Sequence, residues 1–155
     1  LAALLSACAP NIHHQTAVAL IQTESGGKPF VININGGYAL SAQPSSHAQA
    51  SVVANALINA GFDIDAGLGQ INVRNWKALG LNSVNVFDPC SNLSAMDSVL
   101  LDAYNNAIAA GLSTHSALLV SISQYNTGHR YKGFRNGYVA KVLAKAKKPP
   151  LSKKN

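Results

Sequence analysis

Residues 17–27 read AVALIQTESGG and contain Glu24, the only glutamate in this 155-residue chain. Glu24 follows Ala17, Leu20 and Ile21 at helical intervals, so on a helix it lies on the apolar stripe and not on the solvated face. The glycine pair that comes next predicts the end of that helix. The stretch therefore predicts a helix that carries a carboxyl group at its buried end.

A carboxyl group at the buried C-terminal end of a helix meets two effects that raise its pKa. Burial disfavours the charged form, and the negative end of the helix dipole repels it. A carboxyl group that stays protonated near neutral pH can act as a general acid, which makes Glu24 a candidate catalytic residue. The alternative is a structural acid that a nearby Arg or Lys side chain neutralises.

The composition is that of a single globular domain with an acidic partner. Hydrophobic residues make up 48% of the chain and charged residues 12%, and plentiful Ala and Leu with only 6% aromatics favour helices over sheets. The net charge of +6 indicates an acidic polymer as partner, which could be nucleic acid, anionic lipid or the carboxylate-bearing cell wall. No apolar run is long enough to span a bilayer.

Periodicity and turn residues predict a mainly helical domain over residues 1–146, followed by a basic, mobile tail at 147–155. A small β-hairpin is predicted over residues 31–38, which alternate apolar and polar side chains and include an Asn35-Gly36 turn. Helices are predicted at about 1–8, 14–24, 46–60, 92–110, 113–125 and 137–146, with a short one around Trp76.

Two of these helices carry apolar residues that predict a buried face. The longest has Asn92 as its candidate N-cap. The predicted stripes are Leu93, Met96, Leu100 and Ala103 on the longest helix, and Val52, Val53, Ala56 and Leu57 on the helix at 46–60.

Cys8 has two interpretations. The segment Leu5-Ser6-Ala7-Cys8 matches the acceptor pattern of a lipoprotein signal, in which Cys8 would be acylated, and the same residues could form the first helix of the domain. Because the chain includes residues 1–7, which a mature lipoprotein lacks, we favour the helix.

Cys8 and Cys90 are the only cysteines, and two thiols in an exported-looking chain predict one disulfide. The bond would close a loop of about 80 residues and contribute roughly 4 kcal/mol in the chain-entropy model. Two separate buried thiols are the alternative. No metal site is expected, because the five histidines show no ligand spacing with either cysteine.

Three short segments carry glycines, amides and an aromatic residue that packing alone does not require. Glycines let a backbone approach a ligand closely. Gln and Asn bind sugar hydroxyls and N-acetyl groups, and Tyr offers a sugar ring an apolar face together with a hydroxyl group. The segments are Glu24-Ser25, Gly67-Leu68-Gly69-Gln70-Ile71-Asn72 and Gln124-Tyr125-Asn126-Thr127-Gly128.

In this order and at these separations, the segments resemble those of the lysozyme-like lytic transglycosylases. That family combines Glu-Ser at a helix end with a Gly-Leu-Met-Gln loop, an Ala-Tyr-Asn-x-Gly segment and a tyrosine in the last helix. The resemblance implies a mainly α, goose-type lysozyme-like fold with Glu24 as the catalytic residue. It implies substrate contacts from Ser25, Gln70, Asn72, Tyr125, Asn126 and Tyr138.

A closer resemblance is to the specialised transglycosylases of bacterial type IV secretion and conjugation systems. These begin with a Cys-Ala-Pro-Asn segment like residues 8–11, and they carry an Asn-Gly turn, a Gly-Leu-Gly-Gln-Ile-Asn loop and an Asp-Pro-Cys segment like residues 88–90. The resemblance covers residues 1–146. Gly69 and Gln124 depart from the Met and Ala of the broader family.

The resemblance implies a periplasmic, monomeric enzyme without a cofactor that cleaves peptidoglycan strands and opens the wall locally for a secretion system, whose envelope proteins would be further partners. Glu24 would protonate the glycosidic oxygen between N-acetylmuramic acid and N-acetylglucosamine, and the 2-acetamido group would stabilise C1. The ionised Glu24 would then take the proton of the C6 hydroxyl, which closes onto C1 to give a 1,6-anhydro sugar.

Three alternatives belong to other mechanisms or classes. A goose-type hydrolase needs a second carboxylate, for which Asp65 or Asp63 is the candidate, although hydrogen bonding within a turn also explains both. A non-catalytic module could bind peptidoglycan in the same cleft. Residues 130–135 interleave basic and aromatic side chains, as single-stranded nucleic-acid binders do, but we favour contact with glycan and acidic stem peptides and expect no nucleic acid.

Overall fold

The computed structural model describes residues 1–147, so the predicted tail lies outside the described residues except for Lys147. Within this range the chain forms seven α-helices and a three-stranded sheet, which confirms the predicted mainly helical class. The helices are α1 (Ala2–Cys8), α2 (His14–Glu24), α3 (His47–Asn59), α4 (Pro89–Ala109), α5 (Thr114–Thr127), α6 (Lys132–Arg135) and α7 (Tyr138–Ala146), and the strands are β1 (Ile32–Ile34), β2 (Ile64–Ala66) and β3 (Ile71–Asn72).

Helix α2 ends where the sequence predicts, immediately after Glu24. The next two glycines have φ angles of +63° and +80°, a left-handed conformation that side chains with a Cβ rarely adopt. The chain therefore turns away from the helix axis at this point. The side chain of Glu24 is left on the last turn, beside the helices and strands that meet there.

Helix α4 begins three residues earlier than predicted, and its N-cap is Asp88, not Asn92. The carboxylate of Asp88 accepts a 2.9 Å hydrogen bond from the backbone N–H of Ser91, which lowers the pKa of Asp88. Pro89 occupies the first turn, where its missing N–H costs nothing. The predicted α4 stripe is confirmed, because Leu93, Met96, Leu100 and Ala103 are all buried.

The predicted local hairpin at residues 31–38 is wrong in its pairing. Residues 32–34 do form a strand, but β1 pairs antiparallel with β2, which lies about thirty residues further along the chain. The hairpin of the domain is formed by β2 and β3, with residues 67–70 as its turn. The two glycines of this turn, which the sequence relates to ligand binding, thus also form the turn of the hairpin.

The buried face of α3 also differs from the prediction. Ala50 and Ala54 are fully buried, whereas Val52 is 70% exposed and Ala56 is also exposed. Small residues face the core here because α3 packs closely on β2 and the 3-10 turn at residues 85–87. Val53 and Leu57 are partly buried at the edge of the core.

The predicted disulfide between Cys8 and Cys90 is confirmed, with 5.3 Å between the two Cα atoms. It joins the end of α1 to the first turn of α4 across 82 residues of sequence. The Ser94 hydroxyl donates a 3.0 Å hydrogen bond to the Cys8 carbonyl next to it. The bond therefore fixes α1 onto α4, which is the helix that supports one side of the cleft described next.

Candidate active site

An open cleft of about 620 Å³ runs between the sheet and the C-terminal end of α5. One wall, which we call the sheet wall, consists of Asn35, Asp63, Asp65, Asn72 and Arg74. The opposite wall, the helical wall, consists of Gln124, Tyr125, Asn126, Thr127 and Gly128. Glu24, Gln70, Ile71, Asn75, Val99 and Ala103 complete the lining.

Glu24 is half-buried at this cleft, and the pKa of its carboxyl group is raised from 4.5 to about 7, chiefly by burial. Within this net shift, a hydrogen bond from Tyr138 lowers the pKa, the negative charge of Asp65 raises it and the positive charge of Lys141 lowers it. No Arg or Lys pairs with Glu24 within 4.0 Å among residues 1–147. A large fraction of Glu24 therefore carries a transferable proton at neutral pH.

Tyr138 holds the carboxyl group in place from behind. Its hydroxyl donates a 2.6 Å hydrogen bond to Glu24 Oε1, and its ring is 8% exposed. Burial, followed by the nearby Glu24, raises the pKa of Tyr138 far above its usual value, so the hydroxyl remains a donor. Tyr138 can stand at the start of α7 because Gly137 adopts a φ of +84° just before it.

The loop from Gly67 to Gln70 forms the turn between β2 and β3, and it is fixed by the buried amide of Asn92. Asn92 Oδ1 accepts a 2.7 Å hydrogen bond from the Gly69 N–H, and Nδ2 donates to the carbonyls of Ala66 and Val86. A Cβ at Gly67 would lie 2.2 Å from Asn92 Nδ2. Glycine is therefore required there for close packing as well as for its φ of +80°.

Tyr125 links this loop to the helical wall. Its hydroxyl donates a 2.5 Å hydrogen bond to the Gly69 carbonyl, and a Cβ at Gly69 would lie 2.8 Å from that hydroxyl. Burial, followed by the charges of Glu24 and Asp65, raises the pKa of Tyr125 well above its usual value. With Tyr125 placed in this way, a side chain at position 69 would clash with its hydroxyl group.

The sheet wall carries two carboxylates that are held by amide groups. Asp65 accepts hydrogen bonds from the side-chain amides of Asn72 at 2.8 Å, Asn35 at 3.1 Å and Asn33 at 3.2 Å. Asp63 accepts from Asn72 at 3.0 Å and Asn35 at 3.2 Å, and it lies 4.0 Å from the Arg74 guanidinium. We call these three amides and two carboxylates the amide cluster.

The structure brings most of the predicted site residues to the cleft but leaves two of them behind it. Gln70, Asn72, Tyr125 and Asn126 line the cleft together with Glu24 and Asp65. Ser25 does not line it: its side chain is buried, and its hydroxyl donates to the Ile21 carbonyl and accepts from the Gly27 N–H. Tyr138 contacts Glu24 from the interior and is likewise absent from the lining.

Two features of the site were missed in the sequence. Asn92 was interpreted as a helix cap, although its four-residue spacing from Met96 places an amide on the apolar stripe and signals a buried hydrogen-bond network. Asn33 and Asn35 were interpreted as hairpin residues, and nothing local in the sequence indicates that they face Asp65 across 30 residues or more.

The chemistry available in the cleft is proton transfer and polar recognition. Among residues 1–147, no three side chains of His, Cys, Asp or Glu converge in a way that could hold a metal ion.

None of the helices within residues 1–147 is long and apolar enough to cross a membrane.

A family model for the transglycosylase SLT domain matches residues 3–147, which is nearly all of the described chain. The chain belongs to the transglycosylase SLT domain family. The predicted family resemblance is thereby confirmed.

Curated relatives of this SLT domain include secretion-system proteins. The type IV secretion system protein virB1 of Brucella abortus is 35% identical over 149 residues, covering 92% of this chain and 62% of the relative. The protein virB1 of Agrobacterium fabrum is 37% identical over 148 residues, covering 94% and 59%. The chain thus spans about three fifths of the length of these relatives. No solved structure matches it significantly.

Proposed function

We propose that this SLT domain is a lytic transglycosylase that cleaves the bond between N-acetylmuramic acid and N-acetylglucosamine and leaves a 1,6-anhydro end. The observation that carries the proposal is Glu24, a cleft carboxyl group whose pKa is raised to about 7 and which is oriented by the Tyr138 hydroxyl. Such a group can give a proton to the glycosidic oxygen and, once ionised, take one back from the C6 hydroxyl.

The glycan is bound between the two walls of the cleft. Asn126 and Gln124 on the helical wall supply amide groups that suit sugar hydroxyls and N-acetyl groups. Gln70 on the loop offers its side-chain oxygen, because its amide nitrogen donates to the carbonyls of Val31 and Gly67. The half-buried ring of Tyr125 supplies an apolar face for a sugar. Asn72 acts on the substrate less directly, because its amide nitrogen is already bound to both carboxylates of the amide cluster.

The state of Asp65 favours transglycosylation over hydrolysis. A hydrolase of this kind needs a second carboxylate that activates water or attacks C1. Asp65 lines the cleft, but three side-chain amides donate hydrogen bonds to its two oxygens, which hold the carboxylate against the sheet wall and leave it few free positions to orient an attacking water molecule. Its remaining effect on the reaction is its negative charge, which helps Glu24 to keep its proton.

We further propose that the domain acts at the cell envelope as part of a type IV secretion apparatus, with the periplasm as its location. The support is the similarity to two relatives named virB1, one of which is named as a type IV secretion system protein. The bond between Cys8 and Cys90 fits an oxidising compartment of this kind. Release of wall fragments at one place would open a passage for the apparatus.

The test is digestion of purified peptidoglycan sacculi, followed by mass spectrometry of the soluble products. A transglycosylase gives fragments with anhydro ends, and a hydrolase gives fragments that are one water heavier. Glu24→Gln, which keeps the shape of the side chain, is the matched control. Products that carry water, or no products at all, contradict the proposal, and the second outcome would favour a module that binds peptidoglycan without cleaving it.

A further inference from the structure

The segment that follows the cleft end of α5 carries exposed side chains which the packing of the domain does not use. Tyr131 and Phe134 are 50% and 43% exposed. Lys132 and Arg135 are exposed, and Arg130 is half-buried. We call these five residues the α6 face. None of them lines the cleft, yet the segment starts directly after Gly128, the last residue of the helical wall.

The α6 face is held rigidly against the end of α5. The Gly133 N–H donates a 2.8 Å hydrogen bond to the Ser123 hydroxyl, and a Cβ at Gly133 would lie 2.6 Å from the Ser123 Cα. The Asn136 amide donates a 3.0 Å hydrogen bond to Asn126 Oδ1, a cleft-lining group. The orientation of the face relative to the cleft is therefore fixed, as a binding surface that extends the cleft requires.

In the sequence around the α6 face, every Asp, Glu, Lys or Arg is a cation. Residues 103–140 contain no Asp or Glu but three cations, Arg130, Lys132 and Arg135, all of which belong to the face. Within residues 1–147, the one ion pair within 4.0 Å joins Arg74 to Asp63, on the other side of the cleft. The cations of the face thus have no acidic partner in the described chain, and they attract anions.

We propose that the α6 face binds the free carboxylates of peptide stems on a peptidoglycan strand whose glycan lies in the cleft, an inference that rests on the proposed function. Each stem carries carboxylates near its sugar, and the guanidinium group of an arginine can bind a carboxylate through two parallel hydrogen bonds. The exposed aromatic rings cover the apolar part of the stem. The domain therefore prefers strands that bear peptides over bare glycan.

The other surface that suits basic and aromatic residues is an anionic lipid membrane. The four-residue helix α6 is too short to lie along a membrane as an amphipathic helix does. Its fixed position at the end of the cleft, with Asn136 bonded to Asn126, favours a ligand that continues out of the cleft.

The experiment compares peptide-bearing glycan strands with the same strands after an amidase has removed the peptides. KM and kcat are measured from the release of soluble fragments by the parent, by Arg130→Gln/Lys132→Gln/Arg135→Gln, and by the matched control Lys28→Gln/Lys77→Gln/Lys147→Gln. We expect the parent KM to be roughly tenfold lower on peptide-bearing strands, the sum of three modest surface ion pairs. The α6 variant should lose this preference with its KM on bare strands unchanged, and the control should keep it.

Equal KM values for both strands with the parent protein would overturn the inference, and so would an equal loss in the control, since that would trace the effect to total charge. Loss of binding to vesicles of phosphatidylglycerol and phosphatidylethanolamine by the α6 variant, with KM unchanged, would assign the face to lipid instead. If the parent cleaves neither strand, the proposed function fails, and cosedimentation with the two strands then decides for or against the α6 face separately.

Discussion

The cleft holds carboxyl groups on two sides, and the two environments differ in the number of hydrogen-bond donors. Glu24 receives one hydrogen bond, from the Tyr138 hydroxyl, and its burial at the cleft raises its pKa. Asp65 receives three, all from side-chain amides. Burial with few donors favours the protonated form of a carboxyl group, and it is the main cause of the raised pKa of Glu24. The three amides instead hold Asp65 in position on the sheet wall.

Removing the proton of Glu24 should have the largest effect. Glu24→Gln retains the size of the side chain but has no transferable proton, so we expect glycan cleavage to fall roughly 10²- to 10⁴-fold. The rate is measured as soluble muropeptides released from sacculi. A variant that cleaves at the parent rate would show that Glu24 is not the acid.

The unusual protonation of Glu24 should also appear in the stability of the protein. The unfolded chain loses this proton near pH 4.5, whereas the folded protein keeps it until about pH 7, so unfolding releases a proton between those values and a rising pH favours unfolding. The parent should lose about 3 kcal/mol of unfolding free energy from pH 4.5 to pH 8 relative to Glu24→Gln. Urea unfolding of both proteins at the two pH values measures the difference, and parallel curves would contradict the raised pKa.

Removing the Tyr138 hydroxyl, the one hydrogen-bond donor to Glu24, should increase the difference between the surroundings of Glu24 and those of Asp65. The hydrogen bond from Tyr138 lowers the pKa of Glu24, so Tyr138→Phe should raise it. The alkaline limb of the pH profile of kcat/KM should move up by about one to two units, the size expected for a hydrogen bond to a charged group. A limb that stays in place would mean that Tyr138 supports the fold and does not tune the acid.

The smallest effect on the pH profile is expected from Asp65→Asn, and it is opposite in direction to that of Tyr138→Phe. Loss of the negative charge removes one cause of the raised pKa of Glu24, so the alkaline limb should move down, by roughly half a unit for a partly screened charge. A transglycosylase should keep most of its maximal rate. A fall of two or more orders of magnitude would instead identify Asp65 as the second carboxylate of a hydrolase.

Local signals were enough to predict the position of Glu24 at the end of its helix. The apolar spacing before Glu24 and the glycine pair after it involve neighbours in sequence, and the helix ends as predicted. The pairing of β1 with β2 and the amide donors of Asp65 depend on residues about thirty positions apart, which a local pattern does not encode. Val52 was misplaced for a related reason, because close packing on a neighbouring strand selects alanine over larger apolar residues.

The bond between Cys8 and Cys90 sets an order of events in the life of the molecule. Once it has formed, more than half of the chain belongs to a closed ring, which cannot be drawn out into a single extended thread. Any translocation route that passes the polypeptide as such a thread must therefore act before oxidation. A molecule in which the bond has closed can no longer pass through a route of this kind.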